Sequence, residues 1–342
     1  MSNRILTQAI DRLCSGADLS SEGATAALRE VMAGRASEAQ TAGLLIAFRA
    51  KGETVAEIAG MARAMREVAV AVHPAAKDLV DTAGTGGGRP TFNVSTTAAF
   101  VAAGAGCPVA KHGNRSATGR SGSADVLEAL GARIDLEPSA VAACIDELGF
   151  GFMFAPSHHP AMKHVVPVRK QLGVQTIFNF LGPLTNPAGA TRQLIGVSDG
   201  RFLDTVAGAL GELGCDHALV VSSDDGLDEL SVSGATRMVE LVNGHISHRE
   251  ITPESVGLSG APQEAMAAGT PEQNAGIARR VLGGDPGAER DLTALNAGAA
   301  IYVGGGADSI ETGVRRAEES IDSGAAAEVL QRFVALTREL AP

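Results

Sequence analysis

The chain has 342 residues, enough to bury a large core and to divide into a larger and a smaller domain. Hydrophobic residues make up 45%, Trp is absent, Tyr302 is the single tyrosine, and the formal net charge is −11 at pH 7. That balance argues against a nucleic-acid or anionic-membrane partner and against a base-stacking platform, while leaving room for a local basic pocket.

The opening Met1-Ser2-Asn3-Arg4-Ile5-Leu6 lacks the apolar core of a signal peptide, and no stretch reaches membrane-spanning length without charges, so the expected location is the cytoplasm. From residue 5 to about residue 72 the chain reads as helices, with apolar residues three and four apart over 22–32, 37–50 and 54–68. Gly34, Gly52 and Pro74 punctuate them. Beyond Pro74, short apolar runs at 79–83, 108–110, 151–154, 194–197 and 218–222 predict strands alternating with helices such as 97–103 and, behind a serine cap, 123–130. This alternation is that of an α/β fold with a mostly parallel sheet. The Gly/Pro-rich stretch 253–287, broken by a helical pattern at 272–282, reads as a surface excursion. Cys14, Cys107, Cys144 and Cys215 are far apart with no Cys-x-x-Cys pair, which points to buried thiols and neither zinc nor disulfides.

Two segments concentrate the chemistry. Gly84-Thr85-Gly86-Gly87-Gly88-Arg89-Pro90-Thr91-Phe92-Asn93-Val94-Ser95-Thr96 lies between a predicted strand and a predicted helix. Lys111-His112-Gly113-Asn114-Arg115-Ser116-Ala117-Thr118-Gly119-Arg120-Ser121-Gly122-Ser123 repeats the plan. Strand, glycine turn and helix start in that order gather free N–H groups and a positive helix end at one spot, the composition that closes around phosphate. Lys111, Arg115 and Arg120 add cationic charge, and the two segments read as one anion site in two halves. A Rossmann fingerprint starting at Gly84 would need glycine at 89, where Arg89 stands, and no stretch gives the P-loop order.

Lys111-His112-Gly113-Asn114-Arg115 with Ser121-Gly122-Ser123-Ala124-Asp125, the upstream Gly-Thr-Gly-Gly and Phe92-Asn93-Val94-Ser95-Thr96 resemble the signature of the anthranilate phosphoribosyltransferases. The likeness continues through Phe154-Ala155-Pro156, His159-Pro160-Ala161-Met162-Lys163, Pro167-Val168-Arg169, Gln175-Thr176-Ile177-Phe178-Asn179 and Leu181-Gly182-Pro183-Leu184-Thr185-Asn186-Pro187. It resumes at Asp225-Gly226-Leu227-Asp228-Glu229 and Leu295-Asn296-Ala297-Gly298-Ala299-Ala300, so it spans nearly the whole chain. The resemblance implies a fold of the nucleoside phosphorylase/phosphoribosyltransferase type. A small helical domain would cover 1–74, joined by part of 165–190, and a large α/β domain with a mostly parallel central sheet would cover 75–342. It also implies a homodimer formed through the helical domain. The activity it implies is transfer of the phosphoribosyl group of phosphoribosyl pyrophosphate to the amine of anthranilate, in tryptophan biosynthesis, with Mg2+ as cofactor.

Carried over residue by residue, the resemblance assigns phosphoribosyl pyrophosphate to Gly84, Gly87, Gly88, Thr91, Asn93, Val94, Ser95, Thr96, Lys111, His112, Gly113, Asn114, Arg115, Ser116, Ala117, Thr118, Gly119 and Ser123. It assigns anthranilate to Gly84, His112, Asn114, His159 and Arg169, and the metal to Ser95, Asp228 and Glu229. The residue types suit these tasks. A donor bearing a 5-phosphate and a pyrophosphate needs two anion cradles and a divalent ion. Carboxylates beyond a strand end are the hard oxygen ligands magnesium prefers, and the guanidinium of Arg169 can grip a carboxylate bidentately. His158, His159 and His164 lack a matching carboxylate and read as neutral polar lining. An aromatic amine is already neutral at physiological pH, so no general base is expected and the rate should come from positioning and electrostatics.

Asp224-Asp225 after an apolar strand is how another, Rossmann-like class of phosphoribosyltransferases presents its ribose loop, but Gly226-Leu227-Asp228 does not continue into a Thr-Thr-Gly-type turn. The alternative readings are a pyrimidine nucleoside phosphorylase, whose loop normally lacks the His-Gly-Asn-Arg order at 112–115, and a non-catalytic nucleic-acid-binding relative. One departure stands out: the aspartate that usually follows Gly-Thr-Gly-Gly is Gly88, and the loop to Asn93 is one residue shorter. Arg89 is the candidate to contact phosphate in its place.

Overall fold

The computed structural model describes residues 3–116, 120–267 and 269–341. Helices Arg4–Cys14, Ser21–Met32, Glu38–Lys51 and Val55–Glu67 open the chain, close to the spans that apolar spacing predicts. Their starts are fixed locally. Ser20 and Ser37 accept from the backbone N–H groups of Gly23 and Gln40, and Thr54 with Glu57 makes a reciprocal capping box. The buried Glu57 carboxylate accepts from the N–H groups of Thr54 and Leu19 and from Lys51 Nζ, so its burial is matched by partners.

Seven strands follow: β1 (Val80–Gly84), β2 (Val109–Gly113), β3 (Phe150–Phe154), β4 (Arg192–Gly196), β5 (His217–Ser223), β6 (Thr236–Val242) and β7 (His245–Ile251). They form one sheet in the order β3-β2-β1-β4-β5-β6-β7. The pairs from β3 to β5 are parallel, with Val80 opposite Arg192 and Val109 opposite Phe150, whereas β5–β6 and β6–β7 are antiparallel. The β6–β7 hairpin is absent from the predicted strands. Its turn is Asn243-Gly244, both at positive φ, the geometry a two-residue hairpin loop requires.

Side chains alternate across the parallel strands, so both faces are covered. Leu194, Leu219 and Val221 join a core with the helices Val94–Gly104, Pro138–Leu148 and Ala288–Val303, where Phe100 and Phe150 lie 4.2 Å apart. Ile195, Val197, Ala218 and Val220 face the other way, toward the N-terminal helices and helix Leu203–Glu212. The segment after β3 returns to the helical side, since Val165, Ile177, Phe178, Leu181 and Leu184 share that second core.

Two expectations need correction. Residues 253–287 are not a surface excursion, because Val256, Leu258, Met266 and one side of helix Pro271–Leu282 are buried against the sheet-side core and Thr91 pairs with Ala267. Ser123 is not the cap of helix Ser123–Leu130. Gly122 holds that position, and the Asp125 carboxylate accepts from its N–H at 2.8 Å.

Candidate functional site

Chain order reverses between the neighbours β1 and β4, and the loops leaving β1, β2, β4 and β5 meet outside their carboxyl ends, where open α/β sheets form their binding crevice. The loop after β1 turns through Gly86 and Gly87 at φ of 70° and 85°. It wraps Asp228 of the loop after β5. The Gly86 N–H donates to Asp228 Oδ2 at 2.8 Å, and a Cβ at Gly88 would lie 2.8 Å from Oδ1 and 2.9 Å from both the Asp228 nitrogen and the Gly226 carbonyl oxygen. Glycine at 88 is therefore a steric requirement of this arrangement. Ser198 Oγ donates to the Gly86 carbonyl, and the Gln175 side chain fills the space where a Gly87 Cβ would stand.

The two halves of the expected anion site adjoin. Asn93 Nδ2 donates to the Ser121 carbonyl and its Oδ1 accepts from Ser121 Oγ and from Asn274, which ties the first glycine loop to the second. Because the Asn93 side chain is so used, helix Val94–Gly104 starts at Val94, Ser95 and Thr96 without a side-chain cap. Thr96 Oγ1 is buried with no partner among the described residues, and Thr91 Oγ1 donates to the Met266 carbonyl. In the second loop, Gly113 ends β2, the Asn114 carbonyl accepts from Ala124 N–H and Ser123 Oγ, and Ser116 N–H donates to Asp125. Ala117, Thr118 and Gly119 lie outside the described residues.

The cations are not where their sequence positions suggest. Arg115 pairs with Asp125 and Glu128 and lies 5.6 Å from the Phe154 ring, and Arg89 is paired with Asp225 at 3.0 Å, so neither guanidinium is free for phosphate. Lys111 is buried beneath the crevice. Its Nζ donates to Thr82 and, at 3.2 Å, to Ser95 Oγ. From there it opposes the charge of Asp81 and Glu229.

Asp228 and Glu229 form a strained pair. Burial pushes the Asp228 carboxyl upward, and burial together with the neighbouring Asp228 charge pushes Glu229 up to about 8 against the pull of Lys111. Two crowded hard-oxygen groups short of positive charge, with the Ser95 hydroxyl bound to the same lysine, fit a divalent cation. Among the described residues no three His, Cys, Asp or Glu side chains converge, so such an ion must complete its shell with Ser95, water and ligand oxygens.

Across the crevice, the His112 and His159 rings lie 5.1 Å apart. His112 Nδ1 meets the Gly182 carbonyl at 3.1 Å, while His112 Nε2 and both nitrogens of His159 are buried and find no hydrogen-bond partner among the described residues. Burial, reinforced by the neighbouring imidazole, pulls His112 down to about 3, and burial followed by the effect of His158 pulls His159 down to about 4. Both are neutral at physiological pH. At these two imidazoles the folded chain binds fewer protons than the unfolded one, and their contribution to stability is lost as pH falls from 6.5 through these values. His159→Phe is expected to flatten this acid limb in thermal melts between pH 4 and 7; an unchanged limb would contradict the assignment.

Arg169, on helix Val166–Leu172, is partly buried, and desolvation alone lowers its pKa. Its guanidinium reaches Asn179 Oδ1 at 3.5 Å and lies 5.5 Å from the Phe178 ring. Sequence reasoning passed over Asn179, Gln175 and Ser198 as site residues. The first two lie in the motif 175–179, where an amide on each side of Thr176-Ile177-Phe178 was the available signal.

Residues 7–69 match the glycosyl transferase family, helical bundle domain, and residues 76–327 match the glycosyl transferase family, a/b domain. A protein of Rubrobacter xylanophilus named anthranilate phosphoribosyltransferase is 54% identical, over 98% of this chain and 99% of its own. The fold superposes with a TM-score of 0.92 on the anthranilate phosphoribosyltransferase of Thermus thermophilus, 48% identical over 96% of this chain and 99% of that one. The anthranilate phosphoribosyltransferase of Saccharomyces cerevisiae, solved in complex with PRPP (phosphoribosyl pyrophosphate) and Mg, gives a TM-score of 0.91 at 29% identity, covering 99% of each chain.

Proposed function

The chain belongs to the anthranilate phosphoribosyltransferase family, and we infer that it joins the phosphoribosyl group of phosphoribosyl pyrophosphate to the amine of anthranilate, releasing pyrophosphate, in tryptophan biosynthesis. One observation carries the reading for this crevice. A glycine collar closes on a crowded carboxylate pair, the neutral rings of His112 and His159 face each other, and the Arg169 guanidinium lies against Asn179 and the Phe178 ring with no carboxylate paired to it among the described residues.

The residues divide the work accordingly. Backbone N–H groups at Gly87 and Gly88 and at Ser95 and Thr96, the uncapped start of helix Val94–Gly104, receive the donor's phosphates, and the second glycine loop adjoins them through Asn93 and Ser121. Asp228, Glu229 and Ser95 hold Mg2+, which when bound neutralises charge on the departing pyrophosphate. Arg169 receives the anthranilate carboxylate, and His112, His159 and Asn114 line its ring and amine. The amine lone pair forms the bond to the anomeric carbon as the bond to the pyrophosphate oxygen breaks. The amine proton then leaves to water or pyrophosphate. Charge on the ribose and the leaving group is met by preset dipoles and charges, so positioning supplies the rate without a general base. Lys111 contributes from beneath, holding Ser95 and balancing Glu229.

The division into 1–74, with part of 165–190, and 75–342 is supported by the two cores meeting at the sheet. Dimerisation through the helical part is supported by the exposed Ile5 and Ile46, and sedimentation at twice the chain mass is the expected result. The cytoplasm, where both small-molecule substrates are dissolved, is the proposed location. Among the described residues no helix is long and apolar enough to cross a membrane.

Following anthranilate fluorescence tests the activity. Loss of signal that requires both phosphoribosyl pyrophosphate and Mg2+ is expected. A constant signal, with phosphate-dependent cleavage of a pyrimidine nucleoside instead, would replace the reading with the phosphorylase.

A further inference from the structure

The loop at 84–93 faces the loop at 223–233 and is joined to it at three places. Gly86 N–H reaches Asp228 Oδ2, Arg89 N–H donates to the Gly226 carbonyl at 2.7 Å, and the Arg89 guanidinium donates to Asp225 Oδ2 at 3.0 Å. Asp225 is an unusually firm anchor. Besides Arg89 its carboxylate accepts from Ser223 Oγ, from Ser231 Oγ at 2.7 Å, from Ser233 Oγ and from the Leu227 N–H at 3.1 Å. Its side chain is 4% exposed, and these bonds hold it well down, at about 2, despite its burial. Five donors satisfy both oxygens, so Asp225 is committed to holding its own loop and has no capacity left for a ligand.

Three consecutive glycines make Gly86-Gly87-Gly88 pliable, and ordering it when a ligand binds costs conformational entropy that subtracts from affinity. No side chain at 88 can contribute to that ordering. We propose that Arg89 is a positioning residue: by bonding to Asp225 it holds the glycine loop in its collar around Asp228, and so raises affinity for the phosphorylated sugar without touching it. This rests on the reading of the crevice as the donor site. It replaces the sequence expectation that Arg89 contacts phosphate, since its guanidinium is turned to Asp225 and, at 3.4 Å, to the Gln263 carbonyl.

A double-variant cycle on the full chain separates the two roles. Dissociation constants for phosphoribosyl pyrophosphate with Mg2+ are measured by calorimetry for the wild type, Arg89→Met, Asp225→Asn and the pair. KM for both substrates and amide exchange at 84–89 are followed in parallel. Each single variant is expected to weaken donor binding about tenfold and to leave the anthranilate KM within about twofold, and the pair to be no weaker than the worse single variant. Faster exchange at Gly86 and Gly87 is expected in Arg89→Met. If Asp225→Asn fails to fold, Ser233→Ala loosens the same anchor and takes its place. Additive losses, or an unchanged dissociation constant in Arg89→Met, would overturn the proposal. A wild type that binds no donor would instead overturn the reading of the crevice.

Discussion

Asp228→Ala combined with Glu229→Ala is expected to lower kcat by about a hundred- to a thousandfold, the scale on which removal of a preset charge-stabilising group acts, while leaving the fold intact. The two effects have one origin. Burial holds both carboxyls above their ordinary range, and the Asp228 charge adds to it at Glu229, so in the metal-free protein the pair is a liability to the fold. Because Glu229 is raised from 4.5 to about 8, this carboxyl binds more proton in the native chain than in the unfolded one over that range, and its contribution to stability falls as pH rises through it. The double variant should therefore melt no lower than the wild type at pH 8 and show a flatter dependence between pH 5 and pH 8. Mg2+ should raise the wild-type melting temperature at pH 8 and leave the variant unmoved. Steady-state kinetics across a Mg2+ titration, with melts on the same samples, check both halves. An unchanged kcat would remove the pair from the metal site.

Arg169→Ala is expected to raise the KM for anthranilate by about a hundredfold, as befits loss of a buried charge-assisted pair, with the donor KM within about twofold. The guanidinium sits desolvated with an amide at 3.5 Å and an aromatic ring beside it, and its burial is the cause that lowers its pKa. A partly desolvated cation with no counter-ion among the described residues is costly unless a ligand supplies the charge, which favours a carboxylate. Arg169→Lys keeps the charge without the planar fork and should fall between, with a loss of about tenfold. Equal changes in the two KM values would take Arg169 out of the acceptor site.

What the sequence made legible was local. The first four helices could be placed because Ser20, Ser37 and Thr54 cap them and their apolar residues recur at helical spacing. β1, β2 and β5 appear as short apolar runs because parallel strands are covered on both faces. β7 escaped because His245 to Glu250 are exposed on both faces and carry no apolar alternation, although Asn243-Gly244 marked its turn. The return of Ile177, Phe178 and Leu181 to the helical core is a tertiary fact that periodicity cannot express, and resemblance supplied it. In the crevice, glycine spacing located both loops. Partner choice did not follow from it. Arg89, Lys111 and Arg115 are all cations beside glycines, yet one clasps Asp225, one is buried against Thr82 and Ser95 and one turns to Asp125 and Glu128. Carboxylates distant in the chain decide the first two, and helix Ser123–Leu130 the third.

The proposed chemistry requires the donor to enter between the two glycine loops, and titrating phosphoribosyl pyrophosphate into the full-length protein in a calorimeter tests this directly. A saturable heat with one donor per chain is expected in Mg2+, weakening about tenfold or more when the metal is withheld or when Asp228 and Glu229 are replaced. No heat in either condition, or an affinity indifferent to both the metal and the two carboxylates, would contradict it.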